Sequence, residues 1–476
     1  MGQEINQSRF SDRDHREFGA RLREETKVLK RWFDTRAFDH RPEFTVGLEL
    51  EGWLIDESHL PSPRNSEFFV ALGNSNVCAE LSKFNFELSA PPFPLQGPVF
   101  SKTLDNVAEI WRACEAAAAL IDLRPVAIGI LPTVRDEMLQ LSWMSEGNRY
   151  RALNNEILLR RARKPLHIHI EGLETLDYRA DNIMLEAACT ALQAHLRFNQ
   201  EDAVRLYNAA ILAAAPIVAA TANSPFLYGR NLWAETRIPA FEQVTAMNGF
   251  HDAEDRNVGR VTLGTGYLRH SFLELFLENL SYPTLLPALD ENTDRLPHLR
   301  LQNGTIWRWV RPIVGFDGSS APHLRLEHRV MPAGPSLIDT VANIALCHGL
   351  VLALGRMSEP PENQTPFEDA RANFYACARD GLNAQVCWSG KTANVQTLLL
   401  KQLLPAAQSA LLQEGVDKED IEWLLSDIMQ SRLQTGRTGA AWQVSFMNCS
   451  NANFQAMTER YVALQASGAP VHEWTV

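Results

Sequence analysis

Apolar positions Phe18, Leu22, Val28, Leu29 and Phe33 recur at helical spacing through the densely charged start of the chain. They predict an N-terminal helical arm over residues 1–43. From Phe44 the period changes to two: FTVGLELEGWLI reads as a strand. Alternation returns over Asn76–Ala90, where Phe84, Phe86 and Leu88 face one way and Asn85, Glu87 and Ser89 the other. An Ala-rich amphipathic helix is predicted over Leu104–Leu120, then a short apolar strand over Val126–Leu131. Arg163–Glu171 (RKPLHIHIE) reads as a strand, Asn182–Phe198 and Gln200–Ala222 as helices, His323–Val330 as a strand, and Ser336 to about Arg356 as a helix. Phe367–Leu464 is mostly helical in pattern, after a Pro-rich loop at 358–366. Strands scattered among helices without a βαβ rhythm predict an α+β fold, with residues 44–476 forming a single domain.

Composition narrows the function classes. The 476 residues are 45% hydrophobic and 21% charged, enough for a sizeable core. Lys+Arg 45 against Asp+Glu 57 gives a net charge of −12, which disfavours nucleic acid or an anionic membrane as the main partner. The seven cysteines are scattered without a CxxC pair, as in a reducing compartment. The first residues carry no apolar signal-like run, and the longest apolar stretch, Leu206–Ala222, is interrupted by Asn208 and Pro216. The expected location is the cytoplasm. Gly390-Lys391-Thr392 imitates the end of a phosphate-binding loop, but Gln385 stands where its first glycine belongs.

The chemistry-bearing residues sit on strands. Glu49 and Glu51 in GLELE share one face, and two adjacent carboxylates on an apolar strand persist when a cation neutralises them or when both face water. Glu80 and Glu87 flank the next alternating run. His167 and His169 also lie two apart, where imidazoles can ligate a metal or simply line a strand. In Arg325-Leu326-Glu327-His328-Arg329, two guanidiniums and a carboxylate share a face, as a surface ion network or as one metal ligand between two phosphate clamps. Together these pieces suit a funnel in which two or three Mg²⁺ ions meet carboxylates and substrate phosphates.

The chain resembles the glutamate–cysteine ligase type 2 family, carboxylate–amine ligases of the glutamine synthetase superfamily. The resemblance rests on GLELE at 47–51, CAELSKFNFELSAPP at 78–92, HIHI at 167–170, ANSPFLYGR at 222–230, NGTIWRWVRP at 303–312, HLRLEHRVMPAGPSLID at 323–339 and GRTGAAWQ at 436–443. It implies a curved, mostly antiparallel sheet with helices on its outer side and the active site in its funnel. It further implies Glu51, Glu80 and Glu87 around one metal, and Glu49, His167 and Glu327 around a second that bridges ATP phosphates. Arg329, with Arg325 close by, would steady the transferring phosphoryl group, and His169 and Arg237 would touch substrate. The implied reaction activates the γ-carboxylate of glutamate as an acyl phosphate and passes it to an amine, that of cysteine first among candidates. Another amine or acid, a guanidine phosphotransferase and a non-catalytic nucleotide-binding relative are the competing readings. ATP, glutamate and an amine are thus the expected partners, and self-association stays open.

Overall fold

The computed structural model describes residues 4–247, 251, 258–289, 294–318 and 321–476. The first part of the chain forms α1 (Asp12–Thr35), β1 (Thr45–Ile55), α2 (Asn65–Leu72), β2 (Val77–Ala79), β3 (Asn85–Ser89), β4 (Phe93–Pro94), α3 (Val99–Ala119), β5 (Arg124–Val126) and α4 (Asn148–Arg160). The middle forms β6 (Leu166–Glu171), β7 (Thr175–Ala180), β8 (Ala191–Phe198), α5 (Ala203–Thr221), β9 (Phe226–Leu227), β10 (Arg230–Asn231) and α6 (Arg237–Val244). Then come α7 (Leu273–Glu278), α8 (Pro297–Gly304), β11 (Val310–Phe316), β12 (Pro322–Pro332) and α9 (Leu337–Gly355), followed by a mostly helical segment.

The main sheet is antiparallel and curled, in the order β11–β12–β8–β1–β3–β2, with β4 and β5 pairing to the two ends of β1. One face is apolar: Leu48, Leu50, Leu88, Ala194, Leu196 and Leu326 are all buried. On the β8–β12 side that face packs against α5 and α9, which also pack on each other. Both helices are apolar on nearly every side because they form an inner layer, covered in turn by helices Phe367–Asp380 and Leu404–Gln413. Helix α9 starts from a capping box in which the Ser336 hydroxyl and the Asp339 backbone and carboxylate satisfy each other. The N-terminal arm is α1, whose buried Phe18, Leu22, Leu29 and Phe33 form one stripe; the helix lies against α7 and α8.

Three elements depart from the sequence pattern. The helix predicted over Asn182–Phe198 is a single tight turn at Met184–Ala188 followed by strand β8. Every residue of β8 is buried, because it lies at the centre of the sheet with both faces covered. Its residues still alternate, Gln193, His195 and Arg197 against Leu192, Ala194, Leu196 and Phe198, but they continue an Ala-rich run whose composition also suits a helix. The run over 76–90 is a hairpin of β2 and β3 instead of one strand. Strand β6 forms as predicted but pairs only with β7, in a two-stranded hairpin outside the main sheet.

Candidate active site

The ladder register gathers polar side chains into one band on the inner face of the sheet. Glu51 on β1 lies opposite Glu87 on β3, and Glu49 lies opposite Gln193 on β8. Two residues along β8, His195 lies opposite Glu327 on β12. Period-two alternation puts all six on the face turned away from α5 and α9. Across the band, His195 Nε2 is 3.4 Å from Glu49 Oε1. The Gln193 amide nitrogen donates to Glu51 Oε1 and to Glu87 Oε2, each at 3.1 Å, while its oxygen accepts from Arg329 Nη1 at 2.5 Å. Glu327 is gripped from both sides, by Arg329 Nη1 at 2.5 Å and Arg311 Nη2 at 2.8 Å.

A bulge aims Arg329. His328 pairs with Ala194 and Met331 with Leu192, so Arg329 and Val330 together face Gln193 alone. Arg237 Nη2 donates to the carbonyls of both bulged residues, at 3.3 Å to Arg329 and 2.5 Å to Val330. Its Nε donates to the buried Glu235 carboxylate at 3.3 Å. The Arg329 backbone N–H is taken by the Trp309 carbonyl at 2.8 Å.

Above the band is a cavity of about 350 Å³. Glu49, Glu80, Glu186 and Glu327 line it together with Arg149, Arg300, Arg311 and Arg325. Phe276, Leu286, Trp307 and Phe316 line an apolar wall. The charges divide along the band. Burial would raise Glu49, but the facing His195 outweighs it and holds the carboxyl at about 2. Burial likewise opposes ionisation of Glu327, and Arg311 and Arg329 override it, so this carboxyl stays well below its ordinary range. At the other end, burial and then the charge of Glu80 push Glu51 up to about 7. Burial and then Glu49 push Glu87 well above the ordinary value, and burial with Glu80 and Glu51 pushes Glu186 up to about 8.

These residues fit divalent cations. Glu51 and Glu87 are forced together by the register, and raised carboxyls at such a site signal charge that a cation would neutralise. Both His195 ring nitrogens are buried without a hydrogen-bond partner, and Nε2 is turned to Glu49. Carboxylates with one imidazole form a donor set of mainly hard oxygens, which suits Mg²⁺ when substrate phosphates complete the shell.

Of the residues singled out in the sequence, the structure brings Glu49, Glu51, Glu80, Glu87, Glu327, Arg325 and Arg329 to this band and cavity. It does not bring His167 and His169 there. They lie on the exposed face of the β6–β7 hairpin and form no part of the cavity wall. The imidazole that joins Glu49 and Glu327 is His195, missed because its strand read as helix. Arg237, expected to touch substrate, is 1% exposed, and its guanidinium is engaged by Glu235 and the bulge carbonyls behind Arg329. Gln193, Arg311 and Glu186 were also missed. The one available signal was the period-two run Gln193-x-His195-x-Arg197 within ALQAHLRF.

Comparison with known proteins places this geometry. The model of glutamate–cysteine ligase family 2 matches residues 45–461. No curated protein sequence matches the chain. Among solved structures, the glutamate–cysteine ligase of Francisella tularensis, in complex with AMP, is similar with a TM-score of 0.53 and 9% identity, over 92% of this chain and 96% of that one. At that identity the likeness shows a shared fold. A bifunctional glutathione synthetase from Pasteurella multocida is similar over 89% of this chain and 53% of its own, with 11% identity and a TM-score of 0.48.

Proposed function

We propose, from the premise that the chain belongs to glutamate–cysteine ligase family 2 and is a carboxylate–amine ligase, that it joins the γ-carboxylate of glutamate to the amine of cysteine with ATP and Mg²⁺. The observation that carries this reading is one cavity above the band lined by four carboxylates, four guanidiniums and apolar side chains such as Trp307 and Phe316. The apolar wall suits an adenine ring, and Arg311 and Arg325 suit the phosphates. Glu51, Glu80 and Glu87 would hold a metal beside the amino acid, and Glu49, His195 and Glu327 a metal beside the phosphates. Bound there, the ions supply neutralising charge to the transferring phosphoryl group. Arg329, held by Glu327 and Gln193, offers a fixed guanidinium where negative charge is shared between attacking and leaving oxygens. The γ-carboxylate attacks the γ-phosphorus, ADP leaves, and the amine then displaces phosphate from the acyl phosphate.

The test is phosphate release from ATP with Mg²⁺ and glutamate across a panel of amines that includes cysteine, with Glu51→Gln as control. Release that requires cysteine, yields a γ-glutamyl product and vanishes in the control supports the reading. Release with a different amine keeps the ligase and replaces cysteine. Silence across the panel with ATP still bound means either a different acid or a non-catalytic relative, and a panel of carboxylates separates the two.

A further inference from the structure

We propose that the β6–β7 hairpin carries a transition-metal site of its own, formed by His167, His169 and Asp177 and separate from the carboxylate band. The hairpin alternates cleanly: Leu166, Ile168, Ile170, Leu176 and Ala180 are buried, while His167, His169, Glu171, Thr175, Asp177 and Arg179 face out. The register sets Asp177 directly opposite His169, with His167 two residues away on the same face. One ligand atom from each of the three residues lies within 4.8 Å of the others. His167 Nε2 is 3.1 Å from Asp177 Oδ1, and His169 Nδ1 is 3.4 Å from Asp177 Oδ2. Zinc bonds of about 2.0–2.1 Å in a tetrahedron separate neighbouring donors by about 3.3 Å, and each imidazole already stands at about that separation from one oxygen of the Asp177 carboxylate, so a small rotation of that carboxylate brings a single oxygen between them.

The surroundings orient the donors. His169 Nε2 faces Glu171 Oε1 at 3.1 Å, which would keep the proton on Nε2 and leave the Nδ1 lone pair turned towards Asp177. A carboxylate behind a ligating imidazole is a recurrent support of metal sites. The strand is also held in place. Gln243 of α6 accepts from the His169 backbone N–H at 2.6 Å and donates to its carbonyl at 3.0 Å. Two imidazoles with one carboxylate suit Zn²⁺ or Ni²⁺ over Mg²⁺, and open positions remain for water. Arg179, opposite His167, puts a positive charge on the same face and lowers the affinity such a site can reach.

The test is calorimetric titration of the full chain with Zn²⁺ in excess Mg²⁺, for the wild type, His195→Asn, His167→Asn and the pair His167→Asn with His169→Asn. The expected result is one Zn²⁺ site that persists in His195→Asn, weakens in His167→Asn by more than the roughly 10–100-fold typical of outer-shell changes, and is absent from the pair. X-ray absorption at the zinc edge of loaded His195→Asn should count two imidazole nitrogens, a readout that needs no hairpin variant to fold. Zinc binding unchanged in the pair, lost in His195→Asn, or showing fewer than two imidazoles would overturn the proposal.

Discussion

Glu327 lies directly across the β8–β12 ladder from His195, whose Nε2 is 3.4 Å from Glu49 Oε1, so this imidazole stands between the two carboxylates. If the proposed ligase activity is present, His195→Asn should lower it by more than the roughly 10–100-fold that changes around a metal's ligands cost. His167→Asn should cost at least about tenfold less, because that ring lies on the outer hairpin. Phosphate release as a function of Mg²⁺ concentration, measured for both variants, decides between the two histidines. Equal losses would return His167 to the metal shell.

Gln193 is the joint of the band, donating to Glu51 and Glu87 and accepting from Arg329. Gln193→Leu keeps the volume and removes every one of these bonds. Leaving buried polar partners unsatisfied costs about 1–3 kcal/mol, to be measured by urea unfolding. The Mg²⁺ needed for half-maximal turnover should rise as well, since Arg329 loses its second anchor.

Glu327 sits between two arginines in a buried setting. Glu327→Gln should destabilise the fold by about 3–5 kcal/mol, the usual cost of stranding buried charge. Adding Arg311→Met to Glu327→Gln should recover part of that loss, because one of the stranded guanidiniums is gone. A thermal-denaturation double-mutant cycle measures the coupling, and additive losses would show that the grip contributes nothing.

Glu242 on α6 gives a pH signature away from the band. It is half-buried, with Trp309 Nε1–H donating at 2.8 Å and the Tyr375 hydroxyl at 3.0 Å to its Oε1. Burial outweighs those donors and raises its carboxyl to about 7. The folded state therefore holds a proton that the unfolded chain releases near its ordinary value of 4.5. Below that value Glu242 has no effect on stability. As pH climbs from 4.5 to about 7 the folded state progressively loses stability relative to the unfolded one, on the order of 3 kcal/mol in all. Glu242→Gln should flatten this slope, and melting temperatures from pH 4.5 to 8 in the two proteins will show whether it does.

How much of this was readable in the sequence depended on where each strand lies. Glu49, Glu51 and Glu87 stood out because polar residues at period two interrupt strands whose other positions are apolar. Arg325, Glu327 and Arg329 were visible for the same reason. Gln193 and His195 were hidden because β8 continues the Ala-rich run from Leu185, whose composition suits a helix, although Gln193, His195 and Arg197 keep period two. Arg237 was noticed for its place after the ANSPF turn, but its role follows from a bulge on β12, which no local pattern announces. The HIHI run announced a strand correctly and its sheet incorrectly, because alternation reports how a strand is covered and not its neighbour.

The order of the band in the chain has a consequence for synthesis. Strands β1 and β3 emerge first and can pair early, setting Glu51 against Glu87. Gln193 follows on β8, and Arg311 and Arg329 arrive only with β11 and β12, more than a hundred residues later. Pairings this distant close slowly. A growing chain thus holds its acids together before the arginines and the bridging amide exist to balance them. Under the proposed metal binding, divalent ions would balance those acids in the interval, and metal supply would then bear on how fast the newborn protein matures.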